Sequence, residues 1–164
     1  MVCNVFLQLF IAVILEVIHG PVRIGGIYTI GVVFGACAHL MIDGTYLVGA
    51  SGGVYSLIGV LIANYSMNFT EMSLMGKIIR GSVIGTLALV EIVMSIERVV
   101  GNGGNVSWSA HAGGFVAGLL IGIVILKNFV LTEKEIYIQI GSLVVLVLLI
   151  LATVVILLVQ MKVI

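Results

Sequence analysis

The sequence is poor in charge. Only 9% of its 164 residues are Asp, Glu, Lys or Arg, where an ordinary soluble domain carries about a quarter, and 62% are hydrophobic. That balance excludes a water-soluble globular domain. Lys plus Arg and Asp plus Glu both number 7, so net charge points to no partner, and no basic tract is available to nucleic acid. Cysteine is scarce as well. Cys3 and Cys37 both fall inside predicted spans, which argues against a disulfide or a metal site and for two buried thiols. No cleavable signal peptide is evident, because the first apolar run carries Asn4, Gln8 and Glu16 and lacks a basic leader. Proline occurs once, against 21 glycines. In lipid, small residues let helix backbones approach, so glycine at this level means helix contacts rather than loose loops.

What the chain does have is a succession of apolar runs near the spanning length of ~20 residues, at a mean hydropathy of +1.35. The expected fold class is all-α, a polytopic transmembrane helical bundle of about six spans, forming one domain over residues 1–164. The first span covers residues 2–18, and its polar stripe of Asn4, Gln8 and Glu16 must face protein or water. A turn at residues 19–23 ends it, with Glu16 and His19 expected in a structural polar contact. The second span, 24–42, carries Gly31 and Gly35 four apart as a contact pair, with His39 near its end as an interfacial side chain. The third, 51–68, follows the turn Gly49-Ala50-Ser51-Gly52-Gly53-Val54-Tyr55 and bears a small-residue stripe of Gly52, Ser56, Gly59 and Ala63. The fourth, 78–96, holds Gly81, Gly85 and one intramembrane acid, Glu91, expected to be paired or neutral inside the bundle. Residues 101–105 read as the most flexible connection, and Asn105-Val106-Ser107 is a glycosylation sequon too near the membrane to be used. In the fifth span, 107–126, His111 shares a face with Gly114, Gly118 and Gly122. A charged loop with Lys127, Glu133, Lys134 and Glu135 leads to the last span, 138–160, which has no acid or base and should pack peripherally.

Charge asymmetry sets an orientation. With the N-terminus outside, the inner loops hold Arg23, Lys77, Arg80, Lys127 and Lys134, and the outer side holds only Arg98 and Lys162. Ser51 and His111 then begin their helices at similar shallow depth on the outer side. A serine hydroxyl is a poor nucleophile until a base takes its proton, and a neutral histidine titrates in the right range. A helix start also offers backbone N–H groups to an oxyanion. Gly49-Ala50-Ser51-Gly52 alone serves helix packing as well as catalysis. The intramembrane histidine on a small-residue face adds weight to catalysis. With no acid placed to orient His111, the residues support a Ser–His dyad and not a triad.

The segment from Leu47 to Tyr55 resembles the nucleophile segment of the rhomboid intramembrane serine proteases. Ala110-His111-Ala112-Gly113-Gly114, followed by Gly118 and Gly122, resembles the family's histidine helix. Leu15-Glu16-Val17-Ile18-His19-Gly20 is similar to the end of the family's second transmembrane helix, above all in the animal secretory-pathway branch, and Asn4 lies where that helix carries an asparagine. The extra terminal span matches the longer form of that branch. The resemblance implies cleavage of single-pass transmembrane protein substrates near the outer or lumenal membrane face. Ser51 would be the nucleophile and His111 the general base and then acid. The Ser51 N–H and the Asn4 side chain would form the oxyanion hole, Tyr55 would pack against the His111 ring, and Gly49 would shape the turn. It also implies no metal or cofactor, partners limited to substrate and membrane lipid with no nucleic acid, and a multi-pass protein of the secretory pathway (Golgi, endosome or plasma membrane).

The sequence departs from the family pattern at its start. A preceding helix, a long loop with a Trp-Arg pair and an oxyanion histidine four residues before Asn4 are missing, so the chain is expected to be N-terminally truncated relative to the family. The first rival is therefore a catalytically impaired rhomboid-like protein that binds transmembrane clients without cleaving them. The second is a small transporter or proton channel built on Glu16, His19, His39 and Glu91, in which Glu91→Gln and not Ser51→Ala would abolish activity.

Overall fold

The computed structural model describes residues 2–46, 49–100, 107–130 and 132–163, leaving out the side chains of 2–4, 95, 98, 99 and 161–163. Six helices follow one another: α1 (Val2–His19), α2 (Pro21–Asp43), α3 (Ser51–Met67), α4 (Leu74–Val100), α5 (Trp108–Ile125) and α6 (Glu133–Val163). Among the described residues there is no strand, and the all-α expectation holds. By length and composition α2, α5 and residues Glu133–Gln160 of α6 each suffice to cross a membrane, while the apolar stretch Val5–His19 of α1 is shorter. α3 has 17 residues, at the short end of the spanning range. α4 carries Lys77, Arg80, Glu91, Glu97 and Arg98 among its 27 residues, so its apolar part is the middle.

Helix ends differ from the expected boundaries for local reasons. The turn foreseen at 19–23 contracts to Gly20, whose φ of 90° suits glycine. Its N–H closes α1 on the Glu16 carbonyl at 2.8 Å. Pro21 then opens α2 at the first helical position, where a missing N–H costs nothing. α2 stops at Gly44, a left-handed cap with φ 68° whose N–H reaches the Leu40 carbonyl. α4 starts at Leu74 rather than 78, because the Ser73 hydroxyl accepts the Gly76 N–H at 3.2 Å. α6 takes up the charged stretch expected as a loop. Thr132 and Glu135 form a capping box in which Glu135 Oε2 accepts the Thr132 N–H at 2.8 Å and Thr132 Oγ1 accepts the Glu135 N–H at 3.4 Å.

The centre of the bundle is α3, packed most extensively on α5 and then on α2. The predicted glycine stripes are the contact surfaces. A Cβ at Gly114 would collide with the Gly52 backbone, one at Gly118 with the Ser56 backbone, and one at Gly122 would stand 3.3 Å from Val60 Cα. Both helices advance by four residues per contact, so α3 and α5 run parallel with their N-termini at one end. α2 runs antiparallel to both. A Cβ at Gly35 would meet the Ala110 carbonyl oxygen at 2.8 Å and Gly52 Cα at 3.1 Å, while Gly31 faces Ser56. With no water-driven force to press helices together in lipid, close backbone approach of this kind supplies the packing energy. Around the seam lies an apolar core including Ile11, Leu15, Ile27, Leu57, Val60 and Ile121. The outward faces of α1, α4 and α6 expose Val13, Leu89 and Leu148 among others, as lipid contact requires. α6 is peripheral, as its composition predicts, and almost none of its apolar length is buried.

At the far end of α3 from Ser51, Asn68 is 1% exposed and holds the chain leaving α5. Its Oδ1 accepts the Phe129 N–H at 2.8 Å, and its Nδ2 donates to Asn64 Oδ1 at 2.9 Å. Beside it His19 Nδ1 accepts the Lys127 N–H at 3.2 Å. His19 is thus a fastener between α1 and the chain after α5, where the sequence suggested a contact with Glu16. Glu16 instead lines a small crevice with Gln8 and Tyr28. Cys37 is a half-buried free thiol. The Cys3 side chain, the 101–105 connection and Asn105 of the sequon lie outside what the structure describes.

Candidate active site

α3 begins without a side-chain cap. Ala50 is its N-cap residue, and the Ala50 carbonyl accepts the N–H groups of Gly53 at 3.1 Å and Val54 at 3.3 Å. Ser51 and Gly52 therefore stand ahead of the helix's own hydrogen-bond ladder, in the turn whose N–H groups have no intrahelical acceptor. Ser51 is half-buried. Gly49 lies beside it, since a Cβ there would be 3.8 Å from Ser51 Oγ, an ordinary contact. Immediately behind Ser51, the Gly52 backbone is pressed against α2 and α5, which fixes the depth of the serine.

α5 begins in the opposite manner, with a full cap. Ser107 Oγ accepts the Ala110 N–H at 3.1 Å and the Ser107 carbonyl accepts the His111 N–H at 3.2 Å. His111 is 8% exposed, and its ring stacks on Tyr55 with centroids 3.9 Å apart and planes inclined by 14°. Tyr55 lies one turn after Ser51 on the same helical face. The structure thus gathers Ser51, Tyr55 and His111 at one end of the α3–α5 seam. Tyr55 and His111 also border a cavity of about 390 Å³, whose other walls include Ile58, Leu87, Glu91 and Trp108. Glu91 is therefore a lining residue of that cavity. Asn4 stands in the first turn of α1, and its side chain is outside the described residues.

Chemically, the arrangement provides a hydroxyl at an uncapped helix start, an imidazole held flat by an aromatic ring, and an apolar cavity alongside. A hydroxyl and an imidazole are the components of nucleophilic catalysis, and uncapped N–H groups are the components of oxyanion stabilisation. Among the described residues no cluster of three or more His, Cys, Asp or Glu side chains could hold a metal ion.

Sequence reasoning missed a polar cluster at this same end. His39 Nδ1 lies 2.8 Å from Asp43 Oδ2, 3.2 Å from Ser109 Oγ and within hydrogen-bonding distance of Ser107 Oγ, and His39 Nε2 is 3.0 Å from Thr45 Oγ1. Ser109 donates to Asp43 Oδ2. Two signals were legible. His39 and Asp43 sit four apart on one helix face, and Ser107 stands at an N-cap position.

Comparison with known proteins agrees with the resemblance. The Rhomboid domain model matches residues 1–128. Rhomboid-related protein 3 of Homo sapiens is 38% identical over 136 residues, covering 77% of this chain and 33% of its own length. Rhomboid-related protein 1 of Caenorhabditis elegans is 39% identical over 130 residues, covering 77% of this chain and 36% of its own. Inactive rhomboid-related protein 2 of Caenorhabditis elegans is 32% identical over 128 residues, covering 76% of this chain and 36% of its own. The chain therefore spans about a third of the length of these relatives. A domain match over residues 1–128, on a bundle of apolar helices joined by glycine seams, makes this chain a membrane protein of the Rhomboid family.

Proposed function

We propose that the chain is an intramembrane serine endopeptidase that cleaves single-pass transmembrane proteins near the outer or lumenal face through Ser51 and His111. One observation carries this: the Tyr55 ring stacked on His111 at 3.9 Å, which holds the imidazole at the end of the seam where α3 starts at Ser51. In the reaction, His111 accepts the Ser51 proton as Oγ attacks the scissile carbonyl, and the oxyanion is received by the Ser51 N–H and the Asn4 side chain. His111 then returns the proton to the leaving amine as the C–N bond breaks. Water, deprotonated by the same imidazole, hydrolyses the acyl-enzyme and regenerates the Ser51 hydroxyl. The excess of basic residues in the inner loops supports placing this end of the bundle outside, in a membrane of the secretory pathway.

A second function has specific support. A relative named inactive is 32% identical to this chain, so a client-binding protein with the same fold and no turnover is the alternative. Proteoliposomes containing the chain and a fluorescent single-pass substrate separate the two. Cleavage that vanishes in Ser51→Ala supports the protease. Co-purification of the substrate with no cleavage product, by wild type and Ser51→Ala alike, supports the binder.

The stack itself predicts a graded response. Tyr55→Phe keeps an aromatic ring over His111 and is expected to retain most of the turnover. Tyr55→Ala loses an interaction of about 0.5–1.5 kcal/mol and the orientation it imposes, and cleavage is expected to drop by about 10- to 100-fold. Initial rates at saturating substrate check this.

A further inference from the structure

The His39–Asp43 cluster lies outside the catalytic steps and yet touches the segment that carries His111. Its hydrogen bonds form a consistent directed chain. Ser109 donates to Asp43 Oδ2, so its oxygen is left to accept from the Ser107 hydroxyl 3.0 Å away. Ser107 Oγ accepts the Ala110 N–H at 3.1 Å. A carboxylate only accepts, so His39 Nδ1 carries a proton, shared between Asp43 Oδ2 at 2.8 Å and the Ser107 oxygen beside it. On the other side of the ring, Nε2 and the Thr45 hydroxyl are 3.0 Å apart. Ser107 is tied twice: its side chain to the end of α2, and its carbonyl to the His111 N–H at 3.2 Å. Just below, the approach of Gly35 to the Ala110 carbonyl leaves α5 no room to move toward α2.

We propose that His39 and Asp43 are positioning residues for His111. They clamp Ser107 to the C-terminal end of α2, and this sets the rotation and depth of the first turn of α5, hence of the imidazole over Tyr55. The proposal rests on the protease function for its catalytic consequence, and on geometry alone for the clamp. An ordinary cap would stabilise α5 without regard to α2. Here the capping serine is held by a second helix, so loss of the clamp moves His111 before it unfolds anything.

The test compares His39→Ala, Asp43→Ala and the conservative His39→Gln with wild type in proteoliposomes, reading kcat and KM separately together with amide hydrogen exchange at Ala110 and His111. A misplacement near 1 Å can cost about 100-fold in rate. Both alanine variants are therefore expected to lose about 10- to 100-fold in kcat with KM within about twofold. Exchange at the Ala110 and His111 amides should accelerate while the middle of α5 stays protected. His39→Gln, whose amide can still donate to Asp43, should recover most of kcat. The proposal is overturned if the folded alanine variants keep wild-type kcat, or if the loss appears throughout α5 and glutamine does not rescue it. A wild-type chain that shows no Ser51-dependent cleavage would sink the protease function instead. Exchange then still decides the clamp, because unchanged rates at Ala110 and His111 in His39→Ala refute it.

Discussion

Ser51→Ala is expected to abolish cleavage, by at least about 10⁴-fold, with no loss of the folded bundle. The hydroxyl sits in the first turn of α3 and is half-buried, whereas the α3–α5 contacts that hold the helix begin at Gly52 and continue through Ser56 and Gly59. Removing one oxygen leaves those contacts in place. His111→Ala should be nearly as severe, since it removes the imidazole stacked on Tyr55 at the end of the seam where Ser51 stands. The two act as one unit, so the double variant should be no worse than Ser51→Ala alone. Rates in proteoliposomes, with a thermal unfolding curve for each variant, check both halves. Equal loss in the single and double variants is the signature. Full additivity would mean that the two residues do not work on the same step.

Gly118→Ala is expected to break the fold, although it adds a single methyl group and raises helix propensity. Its Cβ would be driven into the backbone of Ser56, and α3 is held from behind. α3 is backed by α2 through Gly31 and Gly52, and Ser56 is further fixed by donating to the Gly53 carbonyl at 2.7 Å. Overpacking costs about 1–3 kcal/mol and occasionally more, and an obstacle of backbone rather than a flexible side chain puts this site at the upper end. The control is Gly85→Ala or Gly141→Ala, at positions where a Cβ meets nothing within 4 Å. Those should be neutral or slightly stabilising. Thermal unfolding in detergent measures the difference, and a Gly118→Ala transition equal to that of Gly85→Ala would refute the packing account.

Much of this architecture was legible because membrane packing writes itself in small residues. Gly52, Ser56 and Gly59 on one helix and Gly114, Gly118 and Gly122 on another announced which faces meet, and the structure joins those faces. Ser51 and His111 stood out because a hydroxyl and an imidazole at matched depth are costly in lipid without a use. What stayed hidden was of two kinds. The capping box at Thr132 and Glu135 is a local pattern, masked by a charged stretch that reads equally well as a loop. The His39–Asp43–Ser109 cluster joins residues 66 to 70 positions apart, and no local pattern states which hydroxyls will face a histidine across a helix pair. His19 shows the same limit. Its neighbour in sequence, Glu16, suggested a partner, but its hydrogen bond comes from the Lys127 backbone 108 residues away.

The most direct measurement is covalent capture of the nucleophile. The chain in proteoliposomes would be treated with a fluorophosphonate and digested, and the peptide carrying Ser51 examined by mass spectrometry, with His111→Ala in parallel. A working dyad predicts one adduct, on Ser51 Oγ, absent from His111→Ala although that variant remains folded. An unmodified Ser51 in a folded wild-type protein, or a Ser51 adduct formed equally well without His111, would contradict the dyad.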